Sequence, residues 1–451
     1  MTELLNSFRT YGTHHETGIN YINTLPAHWK TEKGKWLFKR ENRPVSDSDE
    51  VVTCFRNGQV TLRKNRRTEG FTNALQEHGY QGIREGDLVI HAMDAFAGAI
   101  GVSEADGKSS PVYSACTPKT TESVSSYYYA YFMRDLASGG YLLSLAKGIR
   151  ERSTDFRFKD FSSLELPLPP VSEQMAIVDF LNKQNAQIEK AISVKEWQVT
   201  LLKERKKILI QNAVTRGLNS DAPMRDSGVE WIGSVPEHWK VKRLKYVLDE
   251  RNERSKTGEE SLFMVSQKHG LVVRSEYHAK AEVALSNIDN KIVHQNDLVF
   301  NKLKAHLGIF FKSNISFKGI VSPDYAVYTL KNFVEDAKIL EHLFRHPACI
   351  GQFIIRATGI VEGLIRLYTT DFFEIFIPVA PIEEQREILE FIESNSEKIN
   401  SASSLLEQQI TNLKEYKATL TNSAVTGKFK VLGVVEPIHD ASQLDVTEVC
   451  Q

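Results

Sequence analysis

Leu25-Pro26-Ala27-His28-Trp29-Lys30 returns 210 residues later as Val235-Pro236-Glu237-His238-Trp239-Lys240. The echo continues in one order and at nearly one offset. Gly86-Asp87-Leu88-Val89 is answered by Asn296-Asp297-Leu298-Val299 at 210, and Ser110-Pro111-Val112-Tyr113 by Ser322-Pro323-Asp324-Tyr325 at 212. Leu166-Pro167-Leu168-Pro169-Pro170-Val171-Ser172-Glu173-Gln174 is answered by Ile377-Pro378-Val379-Ala380-Pro381-Ile382-Glu383-Glu384-Gln385 at 211, and Ala213-Val214-Thr215 by Ala424-Val425-Thr426, also at 211. Repetition this orderly marks a tandem duplication.

Each copy has two parts. The first mixes short apolar runs, such as Asp87-Leu88-Val89-Ile90 and Asp297-Leu298-Val299-Phe300, with Gly and Asn turns, the pattern of an α+β domain. Prolines at Pro167 to Pro170, or Pro378 to Pro381, end it and can open a helix. The second part is helical for roughly 45 residues, or roughly 65 Å at about 1.5 Å per residue. Val178, Leu181, Ile188, Ile192, Val199, Leu202 and Leu209 form its seam in copy one, with Lys195 among them. Ile392, Ile399, Leu406, Leu413 and Leu420 repeat every seven residues in copy two. Such stripes must pack on another helix. Flanks such as Lys203-Glu204-Arg205-Lys206-Lys207 are too polar for burial all round. The expectation is an antiparallel coiled coil of two long helices holding two domains apart. Ile177, Trp197, Ile208 and Ile388 fall off the seam and read as a partner surface.

The expected order is an N-terminal segment (1–23), a first domain (24–170) and a first long helix (171–217). A linker (218–234), a second domain (235–381), a second long helix (382–427) and a C-terminal tail (428–451) follow.

The chain has 451 residues, 41% hydrophobic and 25% charged, a composition able to bury several cores. It has no run of 18 apolar residues and no basic-then-apolar leader, so neither a membrane span nor a secretory signal is expected. Cys54, Cys116, Cys349 and Cys450 are far apart, which argues against a zinc site or disulfide framework and fits a reducing cytoplasm. Net charge is −1, yet Lys30 to Arg67 holds eleven basic against five acidic residues, and Lys240 to Lys318 fifteen against nine. Two similar local excesses in corresponding places of a neutral chain are accounted for by the internal repeat.

Asp226-Ser227-Gly228-Val229-Glu230-Trp231-Ile232-Gly233 followed by Val235-Pro236-Glu237-His238-Trp239 closely resembles the opening of a target-recognition domain. The family is the specificity subunit of type I restriction-modification enzymes. Pro169-Pro170-Val171-Ser172-Glu173-Gln174, and the second instance ending Glu383-Glu384-Gln385, resemble the start of that family's spacer helices. Asn296 to Leu303 and Gly319 to Tyr325 are similar to it too, so the resemblance covers about 17–426. Copy one departs from the pattern at Thr17 to Ile22 and at His91-Ala92-Met93. The resemblance implies two tandem target-recognition domains with a pseudo-two-fold repeat, reading a bipartite sequence in double-stranded DNA. It implies two methylation subunits and, in the full enzyme, two restriction subunits as partners. Chemistry then belongs to those partners: adenine methylation with S-adenosylmethionine, and translocation and cleavage with ATP and Mg. No cofactor, metal or catalytic residue is expected in this chain.

Competing readings are weak. Gly101 to Ser109 mimics a phosphate loop, but five residues separate its glycines rather than four. Pro323-Asp324 with Asp336-Ala337-Lys338 imitates a nuclease metal site, which would make the chain an autonomous site-specific nuclease. His28 and His238 beside tryptophans read as packing, not ligation, and the adenine-methylating motif is absent. Phosphate contacts need cations and base reading needs groove-facing donors and acceptors. In copy one these are Arg56, Arg63, Lys64, Arg66 and Arg67; in copy two, Gln267, Lys268, His269, Arg274, Asn301, Lys302, Lys304 and His306. Residues 44–85 and 254–295 share almost no identity, so the copies should read different half-sites.

Overall fold

The two long helices span Val171–Arg216 and Ile382–Val425. They belong to a computed structural model that describes residues 8–66, 78–145, 155–266, 269–277, 287–359 and 366–431, without the side chains of 305 and 306. Each helix starts at the proline hinge: the Pro170 carbonyl accepts from the Glu173 and Gln174 amides, and the Pro381 carbonyl from that of Gln385. Each ends beside a left-handed glycine, Gly217 (φ 76°) and Gly427 (φ 66°). A Cβ would meet Glu384 Oε1 at 2.6 Å in the first case and Pro26 at 2.5 Å in the second, so glycine is required twice over.

Compact units form across the duplication. One contains residues 1–196 and 408–451, the other residues 197–407. Each therefore takes the first half of its own long helix and the second half of the other copy's. In the first unit Val178, Leu181, Ile188 and Ile192 are buried with Ile410, Leu420 and Val425, and Leu413 packs against them. Lys195 Nζ donates to Gln409 and Lys417 Nζ to Glu189, an antiparallel register. In the second unit Ile388 and Ile392 are buried with Ala213 and Val214, and Val199 is buried too. Leu202, Leu209, Ile399 and Leu406 are half-buried there, and Lys203 to Glu407 with Lys206 to Asn400 again runs antiparallel. The heptad stripes thus lie on the packed faces of both helices.

The strand-rich domains share one frame. A four-stranded antiparallel sheet runs Phe38–Arg40, Tyr113–Pro118, Leu88–His91, Ile100–Val102 in the first, and Leu248–Glu250, Tyr325–Leu330, Leu298–Asn301, Phe310–Lys312 in the second. Strand pairs Lys30–Lys33 with Glu165–Leu168, and Lys240–Arg243 with Phe376–Val379, close each domain. Helix Ser126–Ser138 buries Tyr128, Tyr129 and Phe132 in the first core. The second core is richer in phenylalanine, with Phe300 stacked on Phe310 at 4.1 Å.

The repeated Glu-Gln pair explains why the motifs recur together. Glu173 accepts from Tyr11 Oη (2.8 Å), His28 Nε2 (2.6 Å) and Trp29 Nε1 (2.9 Å). Glu384 accepts from His238 Nε2 (2.7 Å) and Trp239 Nε1 (2.9 Å). Gln174 Nε2 donates to the Ser123 and Pro169 carbonyls, and Gln385 Nε2 to those of Phe333 and Ala380. The first turn of each long helix is therefore bolted to its own strand-rich domain. His28 and His238 serve this joint.

Candidate nucleic-acid interface

In the first domain the candidate cations share one hairpin, Val52–Cys54 paired with Val60–Leu62. Its turn is closed by Phe55 and Gly58, where φ is 86°. Arg56 leaves the turn and pairs with Asp94 at 2.9 Å. Arg63 opens a short 3-10 turn, Arg63–Asn65, and its Nε donates to Thr53. Lys64 pairs with Glu50 at 2.5 Å. Arg66 folds back, donating to Asn57 Oδ1 (2.9 Å) with its guanidinium 4.6 Å from the Phe55 ring. Among the described residues, no carboxylate pairs with Arg66. Arg67 lies outside the described residues.

The equivalent hairpin of the second domain, Ser261–Ser266 with Gly270–Val273, is longer and pairs in parallel with Gly319–Val321. His269 sits at its turn, 4.9 Å from Tyr277, and Arg274 opens the 3-10 turn that follows. Gln267 and Lys268 lie outside the described residues. Asn301 ends a central strand, holds the Leu303 amide (3.0 Å) and bonds Tyr325, whose hydroxyl also feels Arg274. Burial pushes the Tyr325 hydroxyl up. Asn301 lies opposite Tyr325 in the sheet register. Lys302 points inward to Glu250 (3.4 Å), which Lys291 also engages, whereas Lys304 is exposed. His306 is in the same 3-10 segment, Lys302–Leu307, but its side chain is outside the described set.

The duplication nominates positions that residue type alone did not. His91 and Tyr113 occupy the places of Asn301 and Tyr325, with ring centroids 4.6 Å apart. His91 Nδ1 accepts from the Asp94 amide (3.0 Å), and burial lowers its pKa, so a neutral imidazole stands beside the Arg56–Asp94 pair. The nuclease constellation is occupied with other work. Asp324 pairs with Arg366 (3.0 Å), while Asp336 caps helix Ala337–Phe344 and holds Lys312 (2.7 Å). Gly101 and Gly107 lie in strands, not in a loop before a helix. Cys54, Cys116 and Cys349 are buried free thiols whose pKa values burial raises.

One strand-rich frame built twice, each with a long helix starting at its proline hinge, defines the class as a tandem-repeat α+β chain. No protein-family model matches the chain. The type I restriction enzyme MjaVIII specificity subunit of Methanocaldococcus jannaschii is 22% identical over 283 residues, 60% of this chain and 64% of that protein. A chain from a structural study of complex assembly and conformational transition of the type I R-M system superposes with a TM-score of 0.62 at 15% identity, covering 90% of this chain and 99% of that one. The HsdS subunit of Thermoanaerobacter tengcongensis superposes at 0.52 and 16% identity, covering 92% and 100%. The resemblance to type I specificity subunits therefore holds in sequence, and the tandem-domain fold is theirs. Among the described residues, no helix is long and apolar enough to cross a membrane.

Proposed function

We propose that the chain is the DNA-recognition subunit of a type I restriction-modification enzyme. One observation carries this reading: matching frames present different hairpins at the same place, as two readers of two half-sites require. The subunit reads a bipartite duplex target and scaffolds two methylation subunits and two restriction subunits. Methyl transfer from S-adenosylmethionine and ATP- and Mg-dependent translocation and cleavage belong to those partners. Trp197, Leu201 and Ile208 form an exposed stripe on the first long helix, at steps of four and seven residues. A stripe of this period suits docking of a partner helix. Ile177 and Ile388, expected on that surface, are instead 1% and 0% exposed within the unit cores, because the helix start packs on its own domain. The test is to map N6-methyladenine in the host genome with and without the gene. A bipartite motif that vanishes with the gene is expected. An unchanged methylation pattern, or cleavage of duplex DNA by the purified chain with magnesium alone, overturns the reading.

A further inference from the structure

Each unit carries a groove between its strand-rich domain and its helix pair, and the two grooves are one place in the duplication. In the first unit the groove is about 420 Å³, lined by Arg56, Arg134, Lys414 and Lys417 with the single carboxylate Asp135. In the second it is about 720 Å³, and Lys203, Lys206, Lys207, Lys312, Lys338 and Arg345 face Asp336, Glu393 and Glu397. Lys203, Lys206 and Arg134 each return 211 residues later, as Lys414, Lys417 and Arg345. The helix lysines come from the other copy's helix in both units, so the groove exists only in the folded, intertwined chain.

The helix lysines are held by exposed partners, Lys417 by Glu189 at 2.6 Å, whereas Arg345 pairs with the buried Glu341 at 2.9 Å. Lys203 pairs with Glu407 (3.4 Å) and its duplicate Lys414 with Glu196 (3.8 Å), on exposed helix surfaces where such pairs hold weakly and yield to a stronger anion. Lys206 is held by the neutral Asn400. Arg134 is largely buried against the hairpin glycine Gly58 and, among the described residues, no carboxylate pairs with it. His342, at the second groove, is driven down to about 4 by burial and by Lys338, Arg345 and Lys206, against the opposing pull of Glu341. Burial is the largest cause of that shift; the share owed to Lys338, Arg345 and Lys206 marks a positive field, which attracts an anion. Both grooves also run into the candidate reading hairpins. Arg56 belongs to hairpin and groove alike, and a cavity sharing Lys312, Lys338 and Arg345 with the second groove takes in His269.

We propose that the two grooves are phosphate tracks that grip the DNA backbone beside each half-site without reading sequence, through Lys203, Lys206 and Arg345 in one unit and Lys414, Lys417 and Arg134 in the other. The proposal rests on the DNA-recognition reading and adds to it a sequence-independent grip supplied by the long helices.

The experiment uses the full chain assembled with its methylation subunit. Binding to a random-sequence duplex and to the duplex identified by methylation mapping is measured across a salt series. The double variants Lys203→Ala/Lys206→Ala and Lys414→Ala/Lys417→Ala are compared with wild type, alanine keeping the helices intact. Each should flatten the dependence of log affinity on log salt by about two, because each phosphate contact contributes about 0.9 to that slope. The loss should be equal on both duplexes, the methylated sequence should not change, and the corresponding Lys→Arg variants should restore the slope. An unchanged slope in variants of a complex that still binds its target overturns the groove proposal alone. So does loss of the methylation subunit from the variants, which would make the groove a protein seat. A wild-type complex that binds neither duplex overturns the DNA-recognition reading itself.

Discussion

The first unit ties its joint more deeply than the second. Glu173 is 2% exposed and collects three side-chain donors, whereas Glu384 is 20% exposed and collects two. Elsewhere the frames match closely. Arg43 grips Asp87 in a two-point pair (2.5 and 3.1 Å), and Arg251 grips Asp297 likewise (2.9 and 3.0 Å). The hairpins diverge most. Val52–Cys54 with Val60–Leu62 is a short two-stranded ribbon, while Ser261–Ser266 with Gly270–Val273 joins a four-stranded sheet. Duplication has preserved what orients the domain and released what faces outward.

The comparison can be broken most severely at the far end of the chain. Truncation after Glu407 removes Leu420, Val425 and Phe429 from the first unit's core and nothing from the second. Hydrogen exchange should then show the N-terminal domain unprotected and residues 235–381 unaffected. Equal protection in both domains would refute the intertwined units. Next comes the joint itself. Glu173→Ala strands buried donors and should cost about 3–5 kcal/mol, as does breaking a buried charged pair. Glu384→Ala should cost about 1–2 kcal/mol. Local exchange rates at residues 20–40 and 230–245 read the two separately, and equal losses would erase the asymmetry.

Asp135 supplies a smaller, pH-dependent test. Burial lifts its carboxyl from the ordinary 3.8 to about 6, although the Asn422 hydrogen bond and Lys428 pull it down. The fold disfavours the charged form, so this contribution is fully favourable below about pH 4 and is lost as pH rises through about 6. Asp135→Asn keeps an acceptor for Asn422 and should stabilise the first unit by about 1–2 kcal/mol at pH 8, with no gain at pH 4. The second unit has His346 at that place, where burial lowers the imidazole pKa, so its contribution is lost instead as pH falls. A gain of the same size at both pH values would remove the titration argument. Arg66→Ala is the gentlest change. Thermal unfolding should move by no more than about 0.5 kcal/mol, while the salt dependence of DNA binding by the assembled complex falls by about one phosphate.

The helices were legible because a seven-residue period is a local property of the sequence. Val178, Leu181, Ile188 and Leu420 needed only their spacing to be placed on a packed face. Ile410 was missed because it sits four residues past Leu406, in the alternate seam position that a strict seven-residue count skips. Glu173 and Glu384 were visible as motif letters, but their partners lie about 145 residues away, beyond any local pattern. Among the candidate interface residues, charge type led to the hairpins. It could not separate Lys302, which turns inward to Glu250, from Lys304, which faces outward, because only tertiary packing distinguishes them. Arg134 escaped notice inside an aromatic helix whose pattern announces core.

The exchange of helix halves has a consequence in time. The Tyr128 hydroxyl reaches the Val425 carbonyl, and His14 reaches Gly427, across 297 and 413 residues of chain. A ribosome adding about 5–20 residues per second needs roughly 10–40 s to travel from the end of the first unit's leading segment to the helix that completes it. For that interval the N-terminal domain exists with its core open, while the segment that forms the second unit is synthesised whole behind it. The domain made first is finished last, and it is the one exposed to chaperones and proteases during synthesis.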